Sequence, residues 1–227
     1  MSYVIGLAGV KTSGKSTVTE MIKRVIAERN PNISVEEAAL ANKLKEVSAE
    51  VFNIPRENFD RQDLKEVNFE DGPKILTMGK INDVLHSFNV DVTQDLLNSY
   101  LDITGMELES PRRVAQIIGT QVLRATGNED IHCENVNLNL TGVTIISDMR
   151  FPNEFEYFNS HKEWKSGFLP IYIKRDEAEA LVTEDSHESE TSVFKFSDKC
   201  VELPNNGSLE DLETMVFNVL KINSNLI

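Results

Sequence analysis

The stretch Gly9-Val10-Lys11-Thr12-Ser13-Gly14-Lys15-Ser16-Thr17 has the spacing G-x-x-x-x-G-K-[ST]. That spacing describes a loop able to wrap a chain of phosphates. Gly9 and Gly14 lack a Cβ, so the backbone can curl inward and adopt positive φ without a clash. The loop N–H groups then converge on an anion, and the helix that follows adds the positive end of its dipole. Lys15 is placed to reach the β- and γ-phosphates of a nucleoside triphosphate, with the Ser16 hydroxyl on Mg²⁺. Gly9, Ser13, Gly14, Lys15, Ser16 and Thr17 are therefore the expected triphosphate-binding set.

Three further groups could serve the same chemistry. Val143-Thr144-Ile145-Ile146-Ser147 is β-branched and predicts a central strand, which ends in Asp148-Met149-Arg150. An acid at that point predicts the second metal element, so Ser16 and Asp148 are the expected Mg²⁺ ligands. Arg150 is placed to steady phosphate charge during transfer. Arg112 and Arg113 follow Ser110-Pro111, a cap and first-position proline that open a helix. Two cations in a first turn oppose the helix dipole, and a bound anion would reverse that penalty. Gln116 lies one turn on, and Gly119-Thr120 follows on the same helix. A glycine there costs about 1 kcal/mol against alanine, which close approach of a ligand or another helix would explain. Lys43 and Lys45 sit just beyond a predicted strand end, where a lysine can face the ligand crevice of an open α/β sheet or stand solvated on the helix; Lys43 reads as solvated. His187 and Glu190, in a polar segment, are a candidate hydrogen-bonded pair.

The elements that must position these groups alternate. Apolar runs predict strands at Tyr3–Ala8, Asn32–Leu40, Val143–Ser147, Phe168–Ile173 and Lys199–Leu203. Helical spacing predicts helices after Gly14, over Leu40–Phe52, from Ser110 to Leu123, over Pro152–Asn159 and from Ser208 onward. Strands alternating with helices predict a parallel, doubly wound α/β sheet. Residues 53–109 read as an insertion over the core, and 175–197 as a mobile cover.

The chain has 227 residues, two cysteines (Cys133 and Cys200) and a net charge of −14. One large domain is expected at this length. The charge argues against a nucleic-acid partner, which needs a broad basic face, but allows a small phosphorylated ligand in one cationic cleft. No stretch is apolar enough to span a membrane. The cysteines lack metal-ligand spacing and read as reduced packing residues, which points to a cytoplasmic protein.

Taken together, several motifs resemble the deoxynucleoside monophosphate kinases of tailed phages, the T-even type included. They are Gly9-Val10-Lys11-x-Ser13-Gly14-Lys15, Leu40-Ala41 with Lys45, Arg112-Arg113-x-x-Gln116-x-x-Gly119-Thr120, Asp148-x-Arg150, His187-x-x-Glu190 and Asn206-Gly207-Ser208-Leu209-Glu210. The similarity is interrupted but runs from the first strand to the last helix. It implies a three-layer P-loop NTPase fold: a five-stranded parallel sheet flanked by helices, a helical insertion for the acceptor and a lid segment. It also implies transfer of the γ-phosphoryl of ATP, with Mg²⁺, to a dNMP, and a homodimer. By this resemblance Lys11, Lys45, Arg61, Arg113, Gln116, Gly119, Thr120, His132, Asp148, Arg150 and Glu154 would serve the dNMP. Lys15, Asp148 and Arg150 would be catalytic. His132 stands where the family carries an aromatic residue. Two other readings of the same loop are a P-loop kinase of another phosphorylated metabolite and a nucleotide switch or ATPase without an acceptor. A GTPase would want N-K-x-D, and Asn42-Lys43-Leu44-Lys45 lacks the acid.

Overall fold

The run Tyr3–Ala8 is buried at every position, as a strand covered on both faces must be. The computed structural model describes residues 2–161, 167–183, 185–223 and 226–227. In chain order the elements are β1 (Tyr3–Ala8), α1 (Lys15–Arg29), β2 (Val35–Ala38), α2 (Asn42–Phe52), β3 (Lys74–Ile75), α3 (Met78–Ser87), α4 (Gln94–Asn98), β4 (Glu107–Leu108), α5 (Pro111–Ile117), α6 (Ile131–Glu134), β5 (Val143–Met149), α7 (Pro152–Ser160), β6 (Gly167–Lys174), α8 (Asp176–Glu179), α9 (Glu188–Thr191), β7 (Val201–Pro204) and α10 (Leu209–Asn223). They divide between two compact units: one takes the chain up to Ala39 and again from Asn137, the other takes Leu40–Val136.

The first unit is an α/β structure built on a five-stranded sheet of order β2-β5-β1-β6-β7, in which every neighbouring pair is parallel. On one face Tyr3, Ile5 and Leu7 of β1 share a core with Val18, Ile22 and Ile26 of α1 and with Leu212, Val216 and Leu220 of α10. Both helices supply apolar residues three or four apart, so each lays one stripe on the sheet. Burial of each such isoleucine or leucine stabilises by about 1.5–3 kcal/mol. Elsewhere in this unit the ring of Phe155 packs against Phe168 and Phe196, and Phe158 packs against Phe168, with centroids 5.8 to 6.0 Å apart. The sequence expectation of a parallel five-stranded sheet is met, with each strand within a few residues of its predicted place.

The second unit is mostly helical, with β3 and β4 forming a two-stranded antiparallel ladder. Its core joins Leu44 and Val47 of α2, Ile81 and Leu85 of α3, and Val114 and Ile117 of α5. The Tyr100 hydroxyl donates to the buried Val122 carbonyl at 2.8 Å. The residues expected as an insertion, 53–109, share this core with α2 and α5, which lie outside those limits. The helix predicted from Ser110 to Leu123 also changes character. It is α-helical over Pro111–Ile117 and widens to a π-helical turn over Ile118–Leu123. Within that turn the Thr120 hydroxyl takes the Gln116 carbonyl at 2.6 Å, a bond that competes with the regular backbone ladder.

A Cβ on Gly6 would stand 2.4 Å from the Met149 sulfur and 2.9 Å from a Phe168 ring carbon. Gly6→Val should therefore destabilise the protein by about 1–3 kcal/mol, read as a lower urea midpoint at unchanged m-value.

Candidate functional site

The loop between β1 and α1 depends on two glycine conformations. Gly9 has φ +153°, and a Cβ there would lie 2.9 Å from the Ile173 carbonyl oxygen. Gly14 has φ +102°, and a Cβ there would lie 2.3 Å from the Asn205 side-chain nitrogen. That nitrogen donates to the Ser13 carbonyl at 2.8 Å, so the residue after β7 holds the loop from outside. Asn205 is not among the site residues expected from the sequence. The available signal was its place directly after a strand's carboxyl end, where open α/β sheets bind ligands.

Helix α1 starts without a capping side chain and without an acid in its first turn. The first N–H groups of any α-helix lack intrahelical partners, so this end offers donors and positive potential together. Ser16 and Thr17 are exposed on that turn, and Ser13 is fully buried with its hydroxyl unpartnered. The Lys15 ammonium folds back over the loop and donates to the carbonyls of Gly9 at 2.6 Å and Val10 at 2.7 Å. Lys11 is exposed, and its backbone N–H donates to Glu190 Oε2 at 2.8 Å.

Strand β5 brings the acidic group to the same unit. Ile146 pairs with Gly6 and Met149 with Ala8, so β5 carries one extra residue across Ser147 and Asp148. Such a bulge re-aims side chains at a strand end. Asp148 is half-buried there. Ser16 and Asp148 are hard oxygen donors, the type Mg²⁺ takes beside substrate phosphates, so these residues fit that ion. Arg150 Nη1 meets Glu190 Oε1 at 2.5 Å and the Ser189 carbonyl at 3.3 Å. Burial alone would raise the Glu190 pKa, but Arg150, the Lys11 N–H and Lys15 outweigh it and hold the carboxyl below its usual range. Glu154 is buried, and its carboxylate accepts the N–H of Arg150 at 2.7 Å and of Phe151 at 3.1 Å. It braces the turn into α7 as the acidic half of a capping box; phenylalanine cannot supply the other half. The His187 ring nitrogen Nδ1 lies 2.9 Å from the Ser189 hydroxyl and accepts the Ser189 N–H at 3.2 Å.

Beside the loop lies a cavity of about 400 Å³, lined by Gly14, Thr17, Arg175, Asp176, Asn205 and Asn206. Arg175 reaches the Thr12 carbonyl at 3.5 Å, and Asn206 accepts the N–H of Asp176 at 3.0 Å. The cover expected over 175–197 is anchored at its far end, where Ser192, Val193 and Phe196 are buried. Glu184 of that segment lies outside the described residues.

In the second unit Lys45 pairs with Asp60 at 3.0 Å, and Arg56 binds the same carboxylate. Burial tends to raise the Asp60 pKa, but the two cations win and lower it. Arg61 pairs with Asp63 two residues on, at the surface. Arg112 lies 3.6 Å from Glu66. Arg113 and Gln116 are half-buried, and their side chains have no hydrogen-bonding or ionic partner among the described residues. Gly119 is the point of closest helix approach: a Cβ there would meet Leu44 at 3.0 Å. Thr120 is half-buried. His132 is 6% exposed, with Nε2 3.5 Å from the Gly119 carbonyl and Nδ1 unpartnered. Its ring meets Phe88 edge-on, 6.3 Å between centroids, so it is already packed inside its unit. Both cysteines are free, and burial pushes the Cys200 thiol up to about 12.

No protein-family model matches the chain, and no curated protein matches it. Among the described residues no helix is long and apolar enough to cross a membrane.

Burial of His132, with Arg124 nearby, lowers its pKa to about 4 from an ordinary 6.5. The unfolded chain therefore binds a proton below pH 6.5 that the folded protein refuses down to about pH 4. Stability should fall as pH drops through that window, by up to about 1.4 kcal/mol per pH unit. In urea unfolding between pH 7 and pH 4.5, His132→Phe should remove most of this slope.

Proposed function

We propose that this protein is a P-loop deoxynucleoside monophosphate kinase, transferring the γ-phosphoryl of ATP to a dNMP to give ADP and a dNDP. The observation that carries the reading is the uncapped start of α1 behind a loop in which Gly9 and Gly14 take φ values that L side chains rarely adopt. The cavity beside the loop has room for the donor base, with Arg175 at its wall. Asp148 and Arg150, on the carboxyl end of β5, supply an oxygen ligand and a guanidinium to the same donor unit. For the acceptor, the support is Arg113. Its guanidinium has no described partner, and it stands beside Arg112 in a helix first turn, where the dipole and both cations favour an anion. In this reading the protein works in the cytoplasm as a homodimer.

The chemistry asks for alignment and charge neutralisation and for no general base, because the attacking acceptor oxygen is already ionised at neutral pH. That oxygen forms a bond to the γ-phosphorus as the bond to the β–γ bridging oxygen breaks, and the bridging oxygen leaves on ADP. The loop N–H groups fix the donor, Lys15 leaves the Gly9 and Val10 carbonyls for the phosphates, and Arg150 meets the charge of the group in transit. Arg113 and Gln116 orient the acceptor. Mg²⁺, held by Ser16 and Asp148, would add neutralisation of the phosphate oxygens.

A coupled assay with dTMP, dGMP, dCMP, dAMP and hydroxymethyl-dCMP tests the proposal. ATP consumption that depends on one of these monophosphates is expected. Consumption indifferent to all of them, or driven only by other phosphorylated metabolites, would sink it. Lys15→Ala should lower turnover by about 10²–10³-fold while the thermal transition survives. Arg113→Ala should raise the acceptor KM by about 10–100-fold, the worth of a lost charged hydrogen-bond pair, and leave the KM for ATP within about twofold.

A further inference from the structure

The Glu190 carboxylate stands where the donor-site reading puts an anion. One oxygen takes the Lys11 N–H at 2.8 Å and the other takes Arg150 at 2.5 Å. Both are groups that this reading assigns to phosphate: a backbone donor of the glycine loop, and the arginine that meets the transferring group. The Glu190 side chain is 13% exposed and that of Arg150 25%. A carboxylate so far removed from water needs paired donors, and these two provide them.

The surroundings suit a contact that opens. Glu190 rides on α9, which is four residues long. Before it the chain is exposed at Leu181 and Asp185, and after it Ser192, Val193 and Phe196 are fixed in the core. The carboxylate is thus on a short arm with an anchored base. A triphosphate seeking the same donors would meet a like charge at contact distance, which disfavours joint occupancy.

We infer that Glu190 is an internal substitute for the terminal phosphate: it holds the Lys11 N–H and Arg150 in the empty protein and must leave before a nucleoside triphosphate takes them. The inference rests on the donor-site reading given above. It makes apparent affinity the intrinsic affinity multiplied by the fraction of molecules in which the carboxylate has left. It also makes the effect specific to the third phosphate, because only that group competes for these donors.

Calorimetric titration of the full chain with Mg²⁺ and either a non-hydrolysable ATP analogue or ADP provides the test, on wild type, Glu190→Gln and Glu190→Asp. Glutamine keeps the shape and removes the charge. Aspartate keeps the charge, but with one methylene fewer it cannot span both donors. Glu190→Gln should bind the triphosphate about tenfold more tightly than wild type and ADP within twofold, and Glu190→Asp should fall between. The empty Glu190→Gln protein should also melt a few degrees lower, since a satisfied ion pair is gone. If wild type binds both nucleotides and Glu190→Gln binds the triphosphate equally or more weakly, Glu190 is a fixed brace for Arg150 and this inference fails alone. If no variant binds either nucleotide, the donor-site reading fails and takes this one with it.

Discussion

Gly14 turns the chain through φ +102° with the Asn205 amide nitrogen 2.3 Å from where a Cβ would stand, and the rest of the candidate donor site depends on that fit. The turn lets α1 begin directly behind β1 with its first N–H groups facing outward. Asn205 fixes the turn by donating to the Ser13 carbonyl. Asn205 is itself fixed, because its N–H donates to the Lys174 carbonyl at 2.7 Å, at the end of β6. Since β6 lies between β1 and β7, the register of three neighbouring strands sets where the loop may go. A loop held from both sides in this way is organised before any ligand arrives, so binding loses little further entropy in ordering it.

How much of this was legible in the sequence follows from how local each feature is. The glycine loop, the Ser110-Pro111 helix start and the β-branched strand at Val143 are set by residues within a few positions of one another, and they lie where the spacing put them. Asn205 on Ser13 and Glu190 on Lys11 join residues 192 and 179 positions apart, and no periodicity marks such pairs. Glu154 is a different case. An acid three residues after a helix start serves the helix as readily as a ligand, and here its carboxylate is turned onto two backbone N–H groups. His132 is another, since nothing in a neighbouring pattern tells a buried, edge-packed ring from one offered to a base. That α2 and α5 share one core with residues of 53–109 was not legible either, because core membership is a property of packing and not of composition.

On the proposed reading an acidic protein must present a site for anions, and its charges bear on how. With a net charge of −14, its long-range field repels polyanions. What attraction remains must be short-ranged, and the cations are mostly partnered nearby: Lys45 and Arg56 on Asp60, Arg61 on Asp63, Arg112 beside Glu66, Arg150 on Glu190. Each pairing sets a threshold, because an incoming anion must offer more than the carboxylate it replaces. A phosphate with several charged oxygens and the right spacing can do so, whereas a chain of singly charged phosphodiesters gains little at any one point. Arg113 is the contrast, with a half-buried guanidinium that has no described partner. In an acid-rich chain a carboxylate to quench it would be easy to supply. Leaving it unmet in a helix first turn costs stability, and a bound anion would return it. On the proposed reading, selection among anions would therefore lie in which carboxylates they must displace as much as in which donors they meet.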